Sequence, residues 1–96
     1  MKPSEALDTH RSALRGLVAR YGFLSARVFG SAAAGTDSAD SDLDLVVEPA
    51  ESTTLFTLAG FQIEAEKLLG VKVDVLTPES LPVKFRTSVL EQSEQL

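Results

Sequence analysis

Val28-Phe29-Gly30-Ser31-Ala32-Ala33-Ala34-Gly35, followed after a short polar loop by Ser41-Asp42-Leu43-Asp44-Leu45-Val46-Val47, decides the fold of this chain. The first segment reads as a short apolar strand that runs into a Gly-Ser turn. The second reads as a strand in which two aspartates alternate with aliphatic residues. Backbone N–H groups at a glycine-bounded turn suit phosphate oxygens. Carboxylates sharing one strand face suit a hard divalent cation. Together the two segments describe a place to hold a nucleoside triphosphate through its metal.

The flanking sequence supplies the rest of a small α/β layer structure. Ser4, with Glu5 and Asp8 behind it, predicts a capped helix start. Leu7, Leu14, Leu17, Val18 and Tyr21 then recur at helical spacing up to Gly22. Residues 23–29 predict the first strand, 31–35 a helical turn, 36–41 a loop, and 42–47 the second strand. Thr53 or Thr54 would cap a second long helix whose apolar face comprises Leu55, Leu58, Phe61, Ala65, Leu68 and Leu69, ending at Gly70. Residues 71–76 alternate as a third strand. A last amphipathic helix follows Pro78, anchored by Leu81, Phe85, Val89 and Leu90. Tyr21 and the five phenylalanines are expected in the core, and His10, the one histidine, as a surface or half-buried helix residue rather than a ligand.

Ninety-six residues fit a single domain spanning 1–96. With no cysteine there is no disulfide, zinc knuckle or thiol nucleophile. No apolar run approaches the ~20 residues of a membrane span, and no signal-peptide pattern opens the chain, so a cytoplasmic location is expected. The net charge is −5 and the basic residues are scattered, so stable nucleic-acid binding is not expected.

In a strand, residues i and i+2 share a face about 6.5–7 Å apart. Asp42 and Asp44 therefore point together, while Leu43, Leu45 and Val47 point to the core. Asp74, between Val73 and Val75, lies on the polar face of its own strand. If the two strands are neighbours, three carboxylates converge. Two like charges ~4 Å apart repel by about 4 kcal/mol at an effective dielectric near 20, an arrangement that calls for a cation. Three merely solvent-facing aspartates would be a poor use of strand positions. An EF-hand beginning at Asp40 fails because its sixth position holds Leu45 instead of glycine. Gly30, Gly35 and Ser31 alone need signify only tight turns and a cap; coupled to the spaced aspartates they point to phosphate binding.

These residues resemble the DNA polymerase beta-like nucleotidyltransferase superfamily, with its Gly-Ser, spaced Asp-x-Asp and distant third Asp. More closely, Phe29-Gly30-Ser31, Gly35, Asp40 to Leu45, Leu68-Leu69-Gly70 and Val73 to Leu81 resemble the minimal nucleotidyltransferase (MNT) antitoxins, often paired with HEPN-domain toxins. The resemblance implies a three-stranded mixed sheet in order 1-2-3 with helices packed on it. It implies ATP or another nucleoside triphosphate as substrate, with magnesium or manganese. The expected reaction moves a nucleoside monophosphate, most plausibly AMP, to a hydroxyl. Asp42, Asp44 and Asp74 would be the catalytic and metal-binding residues, and Gly30 and Ser31 would hold the leaving phosphates.

The chain departs from this pattern where many members carry arginine, having Ala32-Ala33-Ala34 instead. Lys72, on the face of Asp74, is the candidate substitute in nucleotide binding, although a solvated strand lysine fits the same position. Arginine at Ala32 is expected to raise transfer. With no acceptor-binding module in the sequence, the acceptor would come from a protein partner, a HEPN-type toxin. An apolar patch near Phe85, Val89 and Leu90 would serve a homo- or hetero-oligomer. The rival reading is an antitoxin that neutralises its toxin by binding only.

Overall fold

The computed structural model describes residues 1–96. In chain order the elements are α1 (Pro3–Arg20), β1 (Ser25–Phe29), α2 (Gly30–Ala34), β2 (Leu43–Glu48), α3 (Leu55–Leu69) and β3 (Val73–Leu76). A 3-10 turn (Pro78–Ser80), α4 (Val83–Gln92) and β4 (Glu94–Gln95) complete the chain. The sheet order is β3-β2-β1-β4. β1 runs antiparallel to both β2 and β4, and β2 runs parallel to β3. The expected mixed sheet with 1-2-3 adjacency is present, with one strand more than the sequence implied.

Period-two alternation divides the sheet into two faces. Ala26, Val28, Leu43, Leu45, Val47 and Val73 are buried on one face with Leu7, Leu14, Leu17, Phe61, Ala65 and Leu69 of α1 and α3. Phe61 is fully buried, edge-on to Phe23 at 5.1 Å and to Tyr21 at 5.7 Å between ring centroids. Truncating such a ring typically costs about 3–5 kcal/mol. The opposite face carries Arg27, Asp44, Val46 and Asp74, and α4 crosses part of it, with Thr87 and Leu90 lining a cleft against Arg27 and Val46. That division leaves the Asp44–Asp74 end of the polar face for chemistry.

Several local expectations are corrected. Ser4 does not cap α1 locally: Pro3 is the first helical residue, Lys2 stands at the cap position, and the Ser4 side chain is turned to Asp37. The helix is kinked at His10, which is half-buried, within what the sequence leads us to expect. Thr54, as expected, caps α3 by accepting from the Thr57 amide. Leu55, placed on the apolar face by its spacing, is 82% exposed because it is the first residue of α3 and overhangs the core. Phe56 and Phe85 also lie outside the core, at 89% and 56% exposure. β4 pairs Gln95 with Arg27 and Glu94 with Val28, where a helical ending was expected. The Arg27 guanidinium fixes this pairing by donating to the Ser93 carbonyl and to Gln95 Oε1.

Candidate active site

Two turns and two strand starts build the site. β1 ends at Phe29, which pairs with Asp44, and the chain passes through Gly30 at φ +72° into α2. A Cβ at Gly30 would collide with the Asp44 carboxylate, so a side chain is excluded there on space as well as conformation. α2 ends at Gly35, itself at φ +76°, whose N–H bonds back to the Ser31 carbonyl. Gly30 and Ser31 thus sit at the mouth of the turn, directly beside Asp44.

The parallel register pairs Asp44 with Asp74, so both lie on the polar face. Asp42 precedes β2 by one residue, and its side chain is half-buried. Burial pushes the Asp44 carboxyl up to about 6, aided by the charge of Asp74, a hydrogen bond with it, and the charge of Asp42. When protonated, Asp44 donates to Asp74. Asp74 and Asp42 therefore both act on Asp44. The three carboxylates do not close into a ready cage of three metal-ligating groups: Asp44 and Asp74 are the interacting pair, and Asp42 contributes through its charge. The donor set suits a hard divalent cation, since every donor is a carboxylate oxygen.

Continuing the register one residue beyond the strands puts Lys72 opposite Asp42, where the Lys72 carbonyl accepts from the Leu43 amide at 2.8 Å. The Lys72 side chain is exposed and forms no salt bridge; the ion pairs are Arg11–Asp8 and Arg20–Glu64. Asp42 and Lys72 line a cleft of about 390 Å³ with Met1, Ser41 and Gly70. A cleft of about 480 Å³ between α1 and α3, lined by Leu17, Arg20, Glu64 and Lys67, is on the other side of the sheet. It contains neither the paired carboxylates nor the Gly-Ser turn.

The alanine spacer has a specific geometry. Ala32 and Ala33 are half-buried and pack on the core, whereas Ala34 is exposed. An arginine at Ala32 would have to leave that contact, whereas one at Ala34 would start from an exposed position. Sequence reasoning also missed Asp37, a buried carboxylate that accepts from Ser4. Its partner is 33 residues away, and nothing in the loop composition marks it.

With this geometry in place, comparison with known proteins assigns the class. Residues 10–95 match the family described as "Nucleotidyltransferase domain". The protein adenylyltransferase MntA of Thermococcus cleftensis is 33% identical over 86 residues, covering 90% of this chain and 84% of that protein. A solved structure described as a "putative minimal nucleotidyltransferase" superposes with a TM-score of 0.84 at 41% identity, covering 97% of this chain and 93% of that one. A toxin–antitoxin crystal structure with AMP-PNP shares the fold, with a TM-score of 0.75 at 21% identity over 88% of this chain and 69% of that one. The chain belongs to the nucleotidyltransferase domain family and, within it, to the minimal nucleotidyltransferases.

Proposed function

We propose that this nucleotidyltransferase moves AMP from ATP to a hydroxyl of a partner protein, as the antitoxin of a HEPN-type toxin–antitoxin pair in the cytoplasm. The observation that carries the reading is the Asp44–Asp74 pair under the Gly30 turn, with Asp44 raised to about 6 by burial and its acidic neighbours. The 33% identity to a protein adenylyltransferase supports adenylyl transfer, and the fold shared with a toxin–antitoxin complex supports a toxin partner.

Asp42, Asp44 and Asp74 would hold magnesium or manganese. The metal would supply neutralisation of phosphate charge and orientation of the α-phosphate. The Gly30–Ser31 backbone and the Ser31 hydroxyl hold the outgoing phosphates, and Lys72 adds a cation at the edge of the site. The acceptor oxygen bonds to the α-phosphorus, the bond to pyrophosphate breaks, and Asp74 draws off the hydroxyl proton. Such chemistry asks for positioning and charge neutralisation more than covalent help.

Ala34 favours a second reading, because this exposed spacer position brings no cation to the triphosphate. On that reading the protein masks its toxin by binding alone, and the exposed Val83 and Phe85 of α4 suit the contact. Co-expression of the candidate toxin with the parent and with the Asp42→Asn/Asp44→Asn double variant separates the two. Adenylyl transfer predicts that the parent restores growth and the double variant does not. Equal rescue by both would establish neutralisation by binding.

A further inference from the structure

Asp44 and Asp74 are fixed by the sheet, but Asp42 is not. It is the residue between the loop and β2, and no strand pairing holds it. What lies before it is nevertheless tied down in sequence. Asp37, only 8% exposed, accepts from the Ser4 amide at 2.8 Å through one carboxylate oxygen and from the Ser4 hydroxyl at 3.0 Å through the other. The next four residues form a turn of their own: the Ser38 amide donates to Ser41 Oγ at 2.9 Å, and the Ser41 amide donates to the Ser38 carbonyl at 3.0 Å. Asp42 follows, and one residue later the Leu43 amide is locked to the Lys72 carbonyl.

The anchor at the far end is firm. Ser4 lies in the first turn of α1, a helix held by Ala6, Leu7, Leu14, Leu17 and Val18 in the core. Its amide is one of the N–H groups that a helix start leaves without an intrahelical partner. A carboxylate supplied from elsewhere in the chain satisfies it and carries the sign that the helix dipole favours. The Ser4 amide bond is also the main reason that the Asp37 carboxyl lies below its ordinary range, against the opposing effect of burial.

We propose that Asp37, clamped on Ser4, is a positioning residue that sets Asp42 beside Asp44 for the metal-bound nucleotide. The core-packed α1 holds Asp37, Asp37 holds the Ser38–Ser41 turn, and the turn leaves Asp42 one direction of entry into β2. Loss of the clamp frees the loop and lets the Asp42 carboxylate turn away, while Asp44 and Asp74 stay where the register puts them. This inference rests on the reading of Asp42 and Asp44 as metal ligands, so its test reports on that reading separately.

Binding of Mn2+ to the full chain in the presence of AMP-PNP, read from the electron paramagnetic resonance of free Mn2+, tests it. Asp37→Asn should weaken Mn2+ binding by about tenfold, the scale typical of groups that orient metal ligands. Ser4→Ala, which removes one of the two bonds, should weaken it less, and Ser4→Thr should keep it near the parent value. Leu68→Ala, on α3 across the sheet, serves as the control for general loss of stability. The clamp is overturned if Asp42→Asn weakens Mn2+ binding while Asp37→Asn and Ser4→Ala bind no worse than Leu68→Ala. An Asp42→Asn variant that binds like the parent instead removes the metal reading beneath it, and the proposal falls with that reading.

Discussion

Replacing Asp44 by asparagine should make the metal-free protein more stable near neutral pH. In the folded state burial, Asp74 and Asp42 together push the Asp44 carboxyl from 3.8 to about 6. Because the folded value is raised, the protonated form carries the stabilising contribution. That contribution is complete below about pH 4, the unfolded value, and is lost as pH rises through about 6. Above that range the folded protein bears a charge that its surroundings disfavour. The shift corresponds to roughly 3 kcal/mol before screening. Asp44 is half-buried rather than enclosed, and solvent screening reduces the expected gain for the variant to about 1 kcal/mol. In a domain of this size that is a rise in Tm of about 4–8 °C. Thermal melts of parent and Asp44→Asn in EDTA between pH 5 and 8 measure it. The variant's advantage should be largest at pH 8 and shrink toward pH 5. An advantage that is absent at pH 8, or flat across the range, would refute the claim that the site is held under electrostatic tension.

Gly30→Ala should lower stability by about 1–2 kcal/mol from the left-handed backbone alone. Its Cβ also meets the Asp44 carboxylate, so calorimetry should show weaker Mg·AMP-PNP binding than this stability loss accounts for. Ala34→Arg should improve nucleotide affinity by roughly tenfold, as a charge-assisted phosphate contact of about 1.5 kcal/mol would do, in titrations with Mg·AMP-PNP. Ala32→Arg should gain less and lower Tm, because that residue packs on the core. The depressed Asp37 carboxyl contributes stability that is present above about pH 4 and lost as pH falls through its lower folded value, so Asp37→Asn should flatten the acid limb of a Tm-against-pH curve.

Most of the frame was legible because its strands and long helices carry strong periodicity. Leu43, Leu45 and Val47 alternate with Asp44 and Val46, and the pairing of Asp44 with Asp74 follows once β2 and β3 are neighbours. What the sequence concealed depends on distant partners. Glu94 and Gln95 have no strand pattern of their own; they pair because the edge of β1 is open there and Arg27 reaches Ser93 and Gln95. Ser4 looks like a local cap, but its side chain serves Asp37 in a loop that composition marks only as polar. Leu55 and Phe56 satisfy the helical repeat in name, yet at the first turn of α3 they project past the sheet. Alternation places Asp42 in the second strand, yet β2 begins one residue later, at Leu43.

Label transfer from ATP to the partner toxin tests the central claim most directly. The parent, with magnesium, should pass the label of α-labelled ATP to the partner and leave the label of γ-labelled ATP in pyrophosphate, and the Asp42→Asn/Asp44→Asn variant should transfer neither. Label arriving from γ-labelled ATP, or transfer by the double variant at the parent's rate, would contradict it.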